Sequence, residues 1–123
     1  MKTALVVLVA SGIATGGSAA AQEPAGAAVF RTCQSCHSLD AAKPGMAGPP
    51  LARLGGRRLG SADGFDYSPA FKAAKDQGLT WDRERLLAYL ADPDAVVRGG
   101  WMSKPAGLSD ADRAAVADYL LAR

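Results

Sequence analysis

Cys33-Gln34-Ser35-Cys36-His37 is the stretch on which the reading of this chain turns. It has the form Cys-x-x-Cys-His, the attachment pattern of a c-type haem. Each residue type has a chemical task. Two thiols can add across two vinyl groups and form thioethers, and the two-residue gap keeps both sulfurs on one turn of chain. The adjacent imidazole of His37 can then ligate the iron as the proximal ligand. Cys33 and Cys36 are the only cysteines and His37 is the only histidine. A structural zinc site usually needs four such ligands, and the chain has only three. A thioredoxin-like dithiol needs a βαβ setting, and no strand-rich pattern precedes the motif. A plain disulfide across so small a loop contributes little stabilisation.

The chain has 123 residues, and its first 21 read as a secretory signal peptide. Lys2 is the charged start, residues 4–14 are the apolar segment, and Ala19-Ala20-Ala21 is the small-residue cleavage site before Gln22. The competing reading is an uncleaved anchor, but the apolar run falls short of the roughly 20 residues that span a bilayer. Residues 22–123 are then one exported domain, expected in the periplasm, where covalent haem attachment of this kind takes place. Loss of Lys2 leaves 13 basic against 12 acidic residues, a formal charge of +1. That balance is not a nucleic-acid-binding footprint, and no stable membrane insertion is expected.

Residues 25–35 read as a helix with Val29, Cys33 and Cys36 on one face. Residues 39–64 lose periodicity and are rich in Gly and Pro, yet Met46, Leu51, Leu54 and Leu59 keep returning. So long a loop in a compact domain suits a chain wrapped round something, with Leu51, Leu54 and Leu59 as the covering side chains. Ser68-Pro69 predicts a helix start, with a stop at Gly78. Thr80 is the expected cap of the next helix, which carries Leu86, Leu87, Tyr89 and Leu90 and ends at Asp92 before Pro93. Residues 94–107 read as irregular. Ser109-x-x-Asp112 opens a last helix with Val116, Tyr119 and Leu120 on one face. The class expected is all-α, with three to five helices.

A second axial ligand cannot be histidine. The mature methionines are Met46 and Met102, and a thioether is a soft neutral ligand that raises the reduction potential. Met102 is favoured, because Met46 follows His37 by only nine residues. The competing role for either is to fill core space.

Together these residues resemble the small soluble class I cytochromes c, over nearly all of residues 25–123. The resemblance rests on Gly26-x-x-x-Phe30 before the haem motif, Gly48-Pro49-x-Leu51 after it, Gly56-Arg57 and Gly64-Phe65-x-Tyr67-Ser68. It continues through Trp81, Tyr89-Leu90-x-x-Pro93, Gly99, Met102 and Val116-x-x-Tyr119-Leu120. It implies one haem c held by Cys33 and Cys36, with His37 and Met102 as axial ligands. It further implies that the Pro49 carbonyl accepts the His37 Nδ1–H bond, and that Tyr89 lies near the Met102 sulfur. Arg57, Tyr67, Ser68 and Trp81 would surround the haem propionates, and Gly26 and Phe30 would pack on Tyr119. Two departures stand out. Arg98-Gly99-Gly100-Trp101-Met102 replaces the family's Pro-Gly-Thr-Lys-Met, and Asp94-Ala95 stands where lysines are common.

The function the resemblance implies is single-electron transfer between periplasmic or membrane redox proteins, docked transiently, without enzymatic activity. The alternatives are a subunit bound permanently to a dehydrogenase or oxidase, and a haem enzyme or gas sensor with a labile sixth ligand.

Overall fold

A computed structural model describes residues 22–43 and 45–123, together with Ala4, Gly12, Gly16 and Gly17. The signal peptide expected over residues 1–21 lies almost wholly outside the described residues. Five helices follow in order: α1 (Ala25–Phe30), α2 (Pro69–Asp76), α3 (Arg83–Ala91), α4 (Pro93–Val96) and α5 (Asp110–Leu121). The only strand-like pairing among the described residues is one antiparallel bridge, Arg58 with Thr80. Among those residues no helix is long and apolar enough to cross a membrane.

Two helix starts follow their caps. The Ser68 hydroxyl accepts the Phe71 N–H at 3.2 Å, and Pro69 takes the first helical position, where its missing N–H costs nothing. Ser109 and Asp112 form a reciprocal capping box, with bonds of 3.1 and 3.0 Å. Gly78 adopts φ +73° just past the end of α2, a conformation that favours glycine.

Three local expectations are corrected. The first helix ends at Phe30 rather than near Ser35, and residues 31–36 continue as turns. There the Thr32 hydroxyl takes the Val29 carbonyl at 2.8 Å, and Cys33 N–H bonds Phe30 O at 2.8 Å. Such side-chain competition and three-residue spacing tighten the chain out of the α form. The third helix is capped by Asp82, whose carboxylate accepts the Arg85 N–H at 2.7 Å, whereas Thr80 is engaged in the bridge to Arg58. α4 runs into the stretch read as irregular, with Asp92 as cap and Pro93 at the first position just before that stretch begins.

α5 packs against both α1 and α3, and α4 packs against α3. Gly26 makes the first contact possible. A Cβ there would collide with the Ala115 carbonyl and the Tyr119 Cβ, so only glycine lets the backbones approach this closely. Phe30 packs at a tilt against Tyr119, with 6.0 Å between ring centroids. The core runs through Phe30, Leu54, Leu59, Leu86, Val116 and Leu120. On α5 the fully buried face is Val116, Ala117 and Leu120, with Tyr119 only partly covered. The long loop is tied down at two places. Gly48 N–H bonds Cys36 O and Leu51 N–H bonds Ser38 O, at 2.8 and 2.7 Å. Further on, residues 56–59 pair with residues 79–81 through Gly56 N–H to Trp81 O and Trp81 N–H to Arg57 O, at 2.8 and 2.9 Å.

Candidate functional site

These elements enclose a cavity of about 430 Å³. One rim carries Cys33, Cys36 and His37, which follow α1. The wall is apolar and aromatic, from Leu51, Leu54, Phe71, Trp81, Leu86 and Leu90. Met102, in the segment between α4 and α5, lines the same cavity. Met46 does not; it faces a separate small hollow with Lys43, Gly45 and Asp63. Leu59, expected as a cover, is instead fully buried in the core and is not part of the lining.

The imidazole of His37 is held from two sides. Its Nδ1 lies 2.8 Å from the Pro49 carbonyl, which fixes that nitrogen as the donor and leaves Nε2 as the nitrogen able to ligate a metal. Against the ring lies Gly48, where a Cβ would stand 2.7 Å from Nδ1 and 2.9 Å from Nε2. Burial lowers the pKa of the imidazole, against the effect of the Pro49 bond, and so favours the neutral form that a metal needs. Burial likewise keeps the Cys33 thiol protonated to higher pH than usual.

Tyr67, Ser68, Arg57, Trp81 and Tyr89 all line the cavity, so the residues expected there are brought together. Arg57 is not a solvated side chain. It is half-buried, and Nη1 and Nη2 donate to the carbonyls of Ala52 and Pro50 at 2.8 and 2.9 Å. Its Nε is the one buried side-chain polar atom without a partner among the described residues. The Tyr67 hydroxyl accepts the Ala62 N–H at 3.0 Å and keeps its own proton to donate. Ser68 is 2 % exposed, and while its oxygen caps α2 its proton also stays free. Tyr89 has its pKa raised to about 12, by burial first and then by the charge of Asp94.

Phe71 was not foreseen as a site residue, yet it is the hub of the aromatic wall. Its ring lies 5.7 Å from Tyr67, 6.5 Å from Trp81 and 5.9 Å from Tyr89, and Trp81 meets Tyr89 edge-on at 5.2 Å. Its position two residues after the N-terminal Pro69 of α2 was legible, but nothing in the local pattern says which way that helix faces. Trp101 lines the cavity and is 65 % exposed, the one exposed large hydrophobic side chain among the described residues.

A planar, largely apolar group with acidic edges fits this enclosure. The wall is apolar and aromatic, two thiols and a fixed neutral imidazole line the same cavity, and a buried guanidinium N–H is left for an anion. Together fold and site define a class, a small all-α protein built round a thiol-attached haem.

Comparison with known proteins agrees. The cytochrome c family model matches residues 24–123. A cytochrome c2 of Rhodopseudomonas palustris is 47 % identical over 73 residues, which are 59 % of this chain and 61 % of that protein. The cytochrome c2 iso-2 of Magnetospirillum molischianum is 45 % identical over 102 residues, covering 81 % of this chain and 96 % of that one. Among solved structures, cytochrome c2 from Rhodospirillum centenum superposes with a TM-score of 0.71 at 32 % identity, over 80 % of this chain and 96 % of that one. The chain belongs to the cytochrome c family and has the cytochrome c fold. Membership carries with it one covalently attached haem c, and the members of this family are electron-transfer proteins rather than enzymes.

Proposed function

We propose that residues 22–123 form an exported, periplasmic one-electron carrier whose haem iron is ligated by His37 and Met102, residues 1–21 being the signal peptide. The observation that carries the ligand assignment is the sharing of one cavity by His37 and Met102, with Met46 in a different hollow. The haem supplies a one-electron iron couple. The chain supplies everything else. Cys33 and Cys36 hold the group through two thioethers. Pro49 orients the His37 ring and strengthens its donation. The Met102 thioether would be the second protein ligand to the iron, a soft neutral donor that would raise its potential and compete with small ligands. Arg57 Nε, the hydroxyl protons of Tyr67 and Ser68, and the Trp81 indole are donors placed to pair with buried carboxylates.

The apolar wall excludes water, which limits the solvent rearrangement that accompanies each change of charge. Trp101 sits at the cavity mouth, where a partner redox protein would dock through a small, transient interface. The donor and the acceptor are redox proteins. The near-neutral charge of the mature chain predicts weak salt dependence of their association.

The test is Met102→Ala in the haem-loaded protein. The expected result is a lower midpoint potential together with new, rapid binding of carbon monoxide to the reduced form. An unchanged potential would remove Met102 from the assignment.

A further inference from the structure

The segment that carries Met102 is built from residues that ought to leave it loose. Gly99 and Gly100 are adjacent, and Gly99 stands at φ +83°. Two glycines in sequence give a ligand loop wide conformational freedom. Something on the chain must offset that freedom if a neutral thioether is to stay on iron.

The offset comes from Asp94. Its Oδ1 accepts the Gly99 N–H at 3.2 Å. The carboxylate is itself fixed at its base, because the Asp94 N–H donates to Asp92 Oδ1 at 3.2 Å while Asp92 caps α4. A second tie, Gly100 N–H to Val97 O at 3.2 Å, is backbone only. Asp94 is therefore the side chain that links the first turn of α4 to the glycine pair, closing a ring of six residues from 94 to 99. We propose that Asp94 is a positioning residue for the axial methionine, its carboxylate latching the Gly99 N–H and so restraining the segment that presents Met102. The proposal rests on the reading of Met102 as ligand. The same carboxylate acts on Tyr89 in the cavity wall, where its charge disfavours the phenolate and so helps keep the hydroxyl protonated.

Hydrogen bonding and charge separate by substitution. Asp94→Asn keeps an oxygen acceptor for the Gly99 N–H and removes the charge. Asp94→Ala removes both and leaves the Asp92 cap of α4 in place. Three readouts are taken on the oxidised, haem-loaded proteins: the charge-transfer band of methionine-ligated ferric haem, the rate at which added imidazole replaces the methionine, and hydrogen exchange at the Gly99 amide. Asp94→Ala is expected to raise both the imidazole rate and the Gly99 exchange rate about tenfold, the factor that about 1.4 kcal/mol is worth. Asp94→Asn should stay within about threefold of the parent, as befits a retained neutral hydrogen bond.

Equal acceleration in both variants would show that charge rather than the latch matters, and would overturn the proposal. So would no acceleration in Asp94→Ala. If the parent protein itself lacks the charge-transfer band, the ligand assignment fails and the positioning role falls with it. Gly99 exchange would then report separately on whether the hydrogen bond exists.

Discussion

Replacing Gly48 by alanine probes the seat of the imidazole with one methyl group. Gly48 does not have positive φ, so alanine brings no backbone strain there. The whole effect is contact. The new Cβ would stand 2.7 Å from His37 Nδ1 and 2.9 Å from Nε2, where ordinary contacts begin at 3.4 Å. The nearest ring atom is Cε1, closer than either nitrogen, so the ring must retreat by about 1 Å, which carries the 2.8 Å Nδ1 to Pro49 O distance beyond the 3.5 Å limit of a hydrogen bond. Overpacking of this kind costs about 1–3 kcal/mol. The lost hydrogen bond adds about 1 kcal/mol. Restriction of the unfolded chain returns about 0.4–1 kcal/mol. The net destabilisation is about 2 kcal/mol, or about 8–16 °C in Tm for a domain of this size. Denaturant unfolding of the haem-loaded protein, followed by circular dichroism, measures it. The midpoint potential should also rise, because an imidazole without its Pro49 partner donates less strongly to ferric iron. A Gly48→Ala protein within about 0.5 kcal/mol of the parent, the range of neutral surface changes, would refute the claim that Gly48 is kept bare for the ring.

Two other outcomes follow from the same geometry. Tyr89 keeps its proton in the folded protein to about pH 12, against 10.0 for the ordinary group. Above pH 10 the unfolded chain gives up a proton that the folded one retains, so stability falls as pH rises from about 10 to 12, by about 2–3 kcal/mol in total. Tyr89→Phe should remove that share of the alkaline loss, read as a shallower decline in unfolding free energy over this window. Removing the haem anchors with the double variant Cys33→Ser and Cys36→Ser should leave an apo chain that does not fold. Without the cofactor the apolar side chains lining the 430 Å³ cavity have no group to pack on and face water, which removes much of the burial on which so small a domain depends. Far-UV circular dichroism of the purified variant should show little helix, and native-like helicity would contradict the view that the cofactor completes the core.

Much of the site was legible because its chemistry is local. The cysteines, His37 and Pro49 lie within seventeen residues, and their spacing fixes what they can reach. The starts of α2 and α5 were legible for the same reason, since a cap is a contact over three residues. What escaped the sequence was competition. Thr80 and Asp82 both suit a helix start, and the tie of residues 79–81 to residues 56–59 decides for Asp82. Thr32 ends α1 early by taking a carbonyl that the helix would have used. The helix α4 escaped the sequence because it is a single turn, although Asp92-Pro93 carries the signal for its start. Leu59 and Phe71 show the wider difficulty. Both are apolar residues near the cavity in sequence, but one faces the core and the other the cavity, and only the packed direction of each segment tells them apart.

The central claim is that Met102 closes the sixth position of a haem held by Cys33, Cys36 and His37. Its most direct test is the absorption spectrum of the purified, haem-loaded protein, oxidised and reduced, with and without carbon monoxide. The account predicts a methionine-to-ferric-iron charge-transfer band in the oxidised form and no response of the reduced form to carbon monoxide. A missing band with prompt carbon monoxide binding would contradict it, and would show an iron open to small ligands.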